Sequence, residues 1–200
     1  EAQKTRSKEK TMINQQDRTD IVKEIKDWSK YVLEPRNPEF NDIPACPYAR
    51  KAWKEKKVDI VFKEDKSYGL LSNTLKNWDD SKDLVIIVDT AFTKREDRFH
   101  KYHDIINQRI SENMYKDRDL WIMGFHPDDD EQELLDSEEF EPETDVEYAL
   151  VFVQRLSKLE EAAEKLKSLG YYEKYFQRYD VEPMYKLRNK FYRRLQDGRC

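Results

Sequence analysis

The chain has little of what chemistry is usually assembled from: of its 200 residues, two are cysteine and three histidine. Two cysteines, Cys46 and Cys200, cannot staple a small secreted domain, so reduced thiols and a cytoplasmic location are expected. No apolar run approaches the roughly 20 residues of a membrane span, and the opening EAQKTRSKEKT lacks the apolar centre of a signal peptide. Positive charge is in deficit too. With 37 Lys and Arg against 42 Asp and Glu, the net charge of −5 leaves no overall basic surface to displace counterions from nucleic-acid phosphates, so nucleic acid is not an expected partner. Apolar residues are 38% against 40% charged, so a core must be built from few, large side chains. Nine Phe, four Trp and twelve Tyr supply them.

Those side chains recur at readable spacings. From Asp20, a plausible N-cap, Ile21, Ile25, Trp28 and Val32 repeat at helical intervals until Pro35. The stretch EPRNPEFNDIPACP holds four prolines and predicts an extended, well-defined loop, followed by a short helix from Pro47 to Lys56. Four β-branched or aromatic runs, at 58–62, 84–88, 120–125 and 148–153, have the length of strands. Helical stripes intervene around Leu71 and Leu75, along Phe99, Tyr102, Ile106 and Ile110, and along Leu156, Leu159, Ala163 and Leu166, the last closed by Gly170. The order β-α-β-α-β-β-α predicts an α+β sandwich: a four-stranded sheet with helices packed on it, ferredoxin-like or related, plus an extra C-terminal helix.

Residues 1–17 are expected as an arm outside the fold, disordered or appended, and 18–170 as a single domain. Residues 171–200 hold eight Lys or Arg against four acids, with eight aromatics, and Leu187, Phe191 and Leu195 mark one apolar helix face. This extension either docks on the domain or binds a protein partner or a second copy. Residues 128–147 carry twelve acidic residues and no basic one, the signature of a solvated loop or of a surface for a basic partner.

Chemistry concentrates at two motifs. In IPACPYARKAW, Cys46 precedes Pro47 and is expected at the N-cap, where free N–H groups and the helix dipole stabilise a thiolate; Arg50 lies one turn on as an anion anchor and Tyr48 beside it as a ligand contact. A small structural cysteine is the competing reading. CPYA is similar to the CPYC of glutaredoxins, but no strand precedes it and no cis-proline strand follows. The second motif, GFHPDDDE, ends a strand and resembles the AHPDDE of zinc-dependent deacetylases, which implies zinc on His126 and Asp129 with Asp128 as base. No histidine follows His126, so that set lacks its third ligand. His100 and His103 in RFHKYHD form a helical H-x-x-H near Asp104, read as surface residues flanking the core stripe or as metal ligands.

CPYA at 46–49, LVIIVDT at 84–90, WIMGFHP at 121–127 and the strand-helix unit at 148–166 together resemble the bacterial domain-of-unknown-function 1415 family, with its CPFA, TTLLV-like and VASFHP-like landmarks. That resemblance implies that Cys46 and His126 share one site, and brings no activity with it. The family's proline motif after FHP is replaced here by the acidic stretch. The expectation is a small-molecule or metal site joining the CPYA helix start to the FHP strand end. Cys46 and His126 would be the catalytic pair, Arg50 and Tyr48 ligand contacts, and a divalent metal the cofactor on His126, Asp128 and Asp129. Its rivals are an accessory subunit docking on a larger enzyme, and a zinc hydrolase using HPDD.

Overall fold

The computed structural model describes residues 13–129 and 139–198. Helix α1, Gln15–Trp28, starts earlier than its apolar stripe. Asn14 accepts the Asp17 N–H while the Asp17 carboxylate accepts the Asn14 N–H, a reciprocal cap that satisfies two end donors. Asp20 is therefore mid-helix, and the last residues of the expected arm belong to α1. The polar first turn hid this, because a stripe count sees only buried positions. A single π turn, Ser29–Leu33, ends α1. The proline-rich stretch then forms a two-residue ribbon, β1 (Arg36–Asn37) with β2 (Ile43–Pro44), around a tight turn at Pro38–Phe40. Helix α2 is only Ala49–Lys54.

The sheet is β3 (Val58–Lys63), β4 (Leu84–Asp89), β5 (Leu120–Phe125) and β6 (Ala149–Arg155), in the spatial order β3-β4-β6-β5. β3 and β4 are parallel; β6 runs antiparallel between β4 and β5. The carboxyl ends of β3, β4 and β5 therefore share one edge, where Lys63, Asp89 and His126 emerge. The expected α+β sandwich with its C-terminal helix is what forms, and helices cover both faces. Because side chains alternate along a strand, Val85, Ile87, Leu120, Ile122 and Val151 meet α3 (Gly69–Lys76) and α4 (Glu96–Ser111) on one face. Ile86, Val88 and Phe152 meet α1 and Trp53 on the other.

The C-terminal segment belongs to the fold. After α5 (Leu156–Lys167) come α6 (Glu173–Arg178) and α7 (Glu182–Gln196). Phe191 is buried, its ring 6.2 Å from that of Trp121, and buried Arg188 pairs with buried Glu160, which also accepts from Asn189. The helix face marked by Leu187 and Phe191 thus docks on the domain, one of the two readings expected for this extension. Of the acidic stretch, residues 130–138 lie outside the described residues. At 143–144 the backbone is held, because buried Glu24 accepts the N–H groups of Glu143 and Thr144 and the hydroxyl of Tyr148.

β5 is an edge strand, and α4 closes its edge. The buried amide of Asn107 donates to the Ile122 carbonyl at 2.9 Å and accepts the Ile122 N–H at 2.8 Å, as a neighbouring strand would. One step along, Gly124 lets α4 lie directly on the strand: a Cβ there would fall 2.6 Å from His103 Nδ1 and 2.6 Å from Phe99 Cε1. Both neighbours are buried rings that cannot give way cheaply. Gly124→Ala is accordingly expected to lower stability by about 1–3 kcal/mol, read as a reduced urea midpoint; an unchanged midpoint would show that α4 is not seated as described.

Candidate site at the carboxyl end of the sheet

The chain leaves β5 through Phe125 and turns at once. Asp129 closes that turn, its N–H bonding the His126 carbonyl at 3.0 Å and its Oδ2 accepting the His126 N–H at 2.7 Å. The other oxygen, Oδ1, lies 2.6 Å from Nε2 of His100 on α4. Glu96 stands one helical turn before His100, on the same face of α4. One ligand atom from each of Glu96, His100 and Asp129 lies within 4.8 Å of the others. Among the described residues this is the group of His, Cys, Asp and Glu side chains that could converge on an ion.

A cleft of about 310 Å³ opens beside these three, between α4, the edge of β5 and the turn from α6 into α7. His103, Asp104, Gly124, Asp180 and Met184 help line it. His103 is 5% exposed and its Nδ1 has no hydrogen-bond partner. Alternation along β5 points the N–H and carbonyl of Gly124 the same way as those of Ile122, toward this cleft. A buried ion pair, Lys63 with both oxygens of Asp89 at 3.0 Å, holds the neighbouring carboxyl ends of β3 and β4 together.

The two histidines are tuned in opposite directions. Asp129, through its hydrogen bond, holds the His100 imidazole above its ordinary pKa against the opposing cost of burial. Burial, with the positive charges of His100 and Lys63 nearby, pushes His103 down to about 3. His103 is therefore a neutral imidazole at physiological pH, while His100 keeps its proton to higher pH than an ordinary imidazole.

The structure divides the sequence-predicted residues between two places. His126 is fully buried: Nε2 faces the Thr93 carbonyl at 3.0 Å, Nδ1 accepts the Asp128 N–H at 3.2 Å, and the rings of Phe92 and Phe99 pack edge-on against it. With both nitrogens engaged, His126 organises the turn and offers no lone pair to a metal or substrate. Asp128 is largely exposed beside it. Of the expected metal set of His126, Asp128 and Asp129, only Asp129 belongs to the converging group, with Glu96 and His100 in place of the other two. His100 was in view as half of an H-x-x-H pair with Asp104 near. Glu96 was not singled out, although its i, i+4 spacing to His100 was the available signal.

Cys46 lies at the other end of the sheet. It lines a separate cleft with Val58 and Leu84, which begin β3 and β4, and with Gln154 and Arg155, which end β6. The clefts of Cys46 and of His100 share no lining residue. The sequence-based pairing of Cys46 with His126 is thus not formed, because His126 follows the opposite end of the strands. Cys46 also precedes the N-cap, which is Tyr48. Burial raises its thiol, with the N–H groups of Tyr48 and Ala49 opposing only in part, so the protonated form is favoured over the expected thiolate. Tyr48 shares the Cys46 cleft, whereas Arg50 is turned outward to Glu34 at 3.0 Å.

Compared with protein families, curated proteins and solved structures, the chain matches none.

The opposed shifts give a pH signature. His103 is lowered in the fold, so the unfolded chain takes up a proton that the native state refuses. Its contribution to stability is complete above the ordinary histidine pKa of 6.5 and is lost as pH falls toward about 3, at up to ~1.4 kcal/mol per pH unit. His100 is raised, so its contribution is complete below 6.5 and is lost as pH rises through its folded value. NMR titration of the ring resonances from pH 5 to 9 should show His100 titrating above 6.5 and His103 flat; a His103 midpoint near 6.5 would contradict its burial.

Proposed function

We propose that the protein binds a divalent transition-metal ion through Glu96, His100 and Asp129, and that the open side of this site supports hydrolysis of a small polar substrate in the adjoining cleft. One imidazole and two carboxylates suit a borderline ion such as zinc or manganese better than a soft one. Three protein ligands with an open position are the usual arrangement for activating water. The observation that carries the reading is the convergence of the three ligand atoms where β5 ends. Buried, neutral His103 stands behind the same cleft, its Nδ1 packed against Gly124.

This keeps part of the zinc-hydrolase alternative and changes its ligands. The likeness to the 1415 family stays a proposal about descent and contributes no activity. The accessory-subunit reading loses its main support, since the apolar face of α7 is buried against Trp121 and Leu156.

Titration calorimetry of chelator-treated protein with zinc, manganese and magnesium should show one zinc or manganese ion bound per chain and much weaker magnesium. His100→Ala and Asp129→Asn should each weaken zinc binding by more than about 100-fold, whereas His126→Gln should act mainly on stability. Affinity should fall as pH drops through the raised His100 pKa, because the ligand must shed its proton. Zinc binding that survives both ligand substitutions, or no binding at all, would overturn the assignment.

A further inference from the structure

The cleft beside Cys46 has a different chemistry. It encloses about 410 Å³, within the roughly 300–1,000 Å³ of small-molecule pockets, and lies between α1, α2 and α5 over the second face of the sheet. Its floor and walls include Ile25, Trp28, Trp53, Ile86, Phe152 and Leu159. Two features keep it formed. Trp53 is fixed by donation from its Nε1 to Ser29 Oγ at 2.9 Å. The π turn that supplies Ser29 and Leu33 to the wall is itself tied down where the Cys46 N–H bonds the Leu33 carbonyl at 2.9 Å.

Lys51, Lys57, Arg155, Lys158 and Lys165 line the rim together with Asp83 and Glu161. Lys51 and Lys57 pair with Glu55, Lys57 and Lys158 share Asp83, and Arg155 pairs with Asp80 and Asp117. Exposed Lys165, one turn from Glu161 on α5, forms no ion pair among the described residues. An apolar interior with one unpaired cation, Lys165, at its mouth is complementary to a molecule built the opposite way round.

We propose that this cleft binds an amphipathic anion, an apolar chain or ring ending in a carboxylate, with the tail among Trp28, Trp53 and Phe152 and the head at Lys165 and its neighbours. This site is independent of the metal site and needs no ion. It gives the CPYA segment a binding role in place of a nucleophilic one: Cys46 and Tyr48 contribute lining, and the raised thiol is compatible with an apolar wall.

The probes are decanoate, decanol and decylamine, titrated by calorimetry into the full chain, with tryptophan fluorescence reporting Trp28 and Trp53. Decanoate should bind saturably at one site per chain, decanol at least about tenfold more weakly, and protonated decylamine more weakly still. Lys165→Glu should cost roughly three- to tenfold in decanoate affinity without disturbing an existing ion pair. Ala162→Phe, placed on the cleft wall of α5, should abolish binding while the circular-dichroism melt stays cooperative. Equal affinity for the three probes, or decanoate binding unaffected by Ala162→Phe, would overturn the proposal. So would a concentration-dependent dimer dissolved by Ala162→Phe, which would make the cleft an interface between copies.

Discussion

The seating of α4 on the edge of β5 is the constraint on which the carboxyl-end site depends. An edge strand must have its outward N–H and carbonyl groups covered. Here one side-chain amide, that of Asn107, covers Ile122 from both atoms. At Gly124 the absence of a side chain lets Phe99 and His103 of the helix close on the strand. Once α4 is fixed at those two points, its helical phase is fixed too. Phe99, His103, Ile106 and Ile110 face the core, while Glu96 and His100 project past the end of the strand toward Asp129. The ligand geometry follows from a packing requirement.

This explains how much could be foreseen. The four strands, the helices between them and the order β-α-β-α-β-β-α were legible because each apolar run had a strand's length and each stripe a helix's period. The start of α1 was not, since its cap is made by polar Asn14 and Asp17. Asp129 was legible as a candidate because it belongs to a short motif at a strand end. His126 was misjudged for the same reason: the motif suggested a ligand, whereas burial between Phe92 and Phe99 makes it a bracket for the turn. Gly124 carried a readable signal of close backbone approach within a strand, and it marks where α4 lands.

The separation of Cys46 from His126 has a topological cause. Motif order along a chain does not say which end of a sheet each motif reaches. Cys46 precedes β3 and stays by the starts of β3 and β4, while His126 follows β5 and lies where the parallel strands finish. Five residue steps at roughly 3.3 Å each lie between those ends. The two motifs expected at a single site thus lie at two clefts of different lining: carboxylates and histidines at one end, aromatic walls at the other.

The electrostatics at the carboxyl end sharpen this division. Burial keeps His103 neutral, and the charges of His100 and Lys63 add to its effect. His100 is balanced by Asp129, and a cation arriving beside Asp129 would act against the proton that Asp129 stabilises there. In the proposed site, metal and proton would be alternative partners of one carboxylate-imidazole pair, while the neighbouring imidazole keeps its charge state unchanged. The two histidines, three residues apart on α4, have different environments because one side of the helix meets the strand and the other meets the cleft.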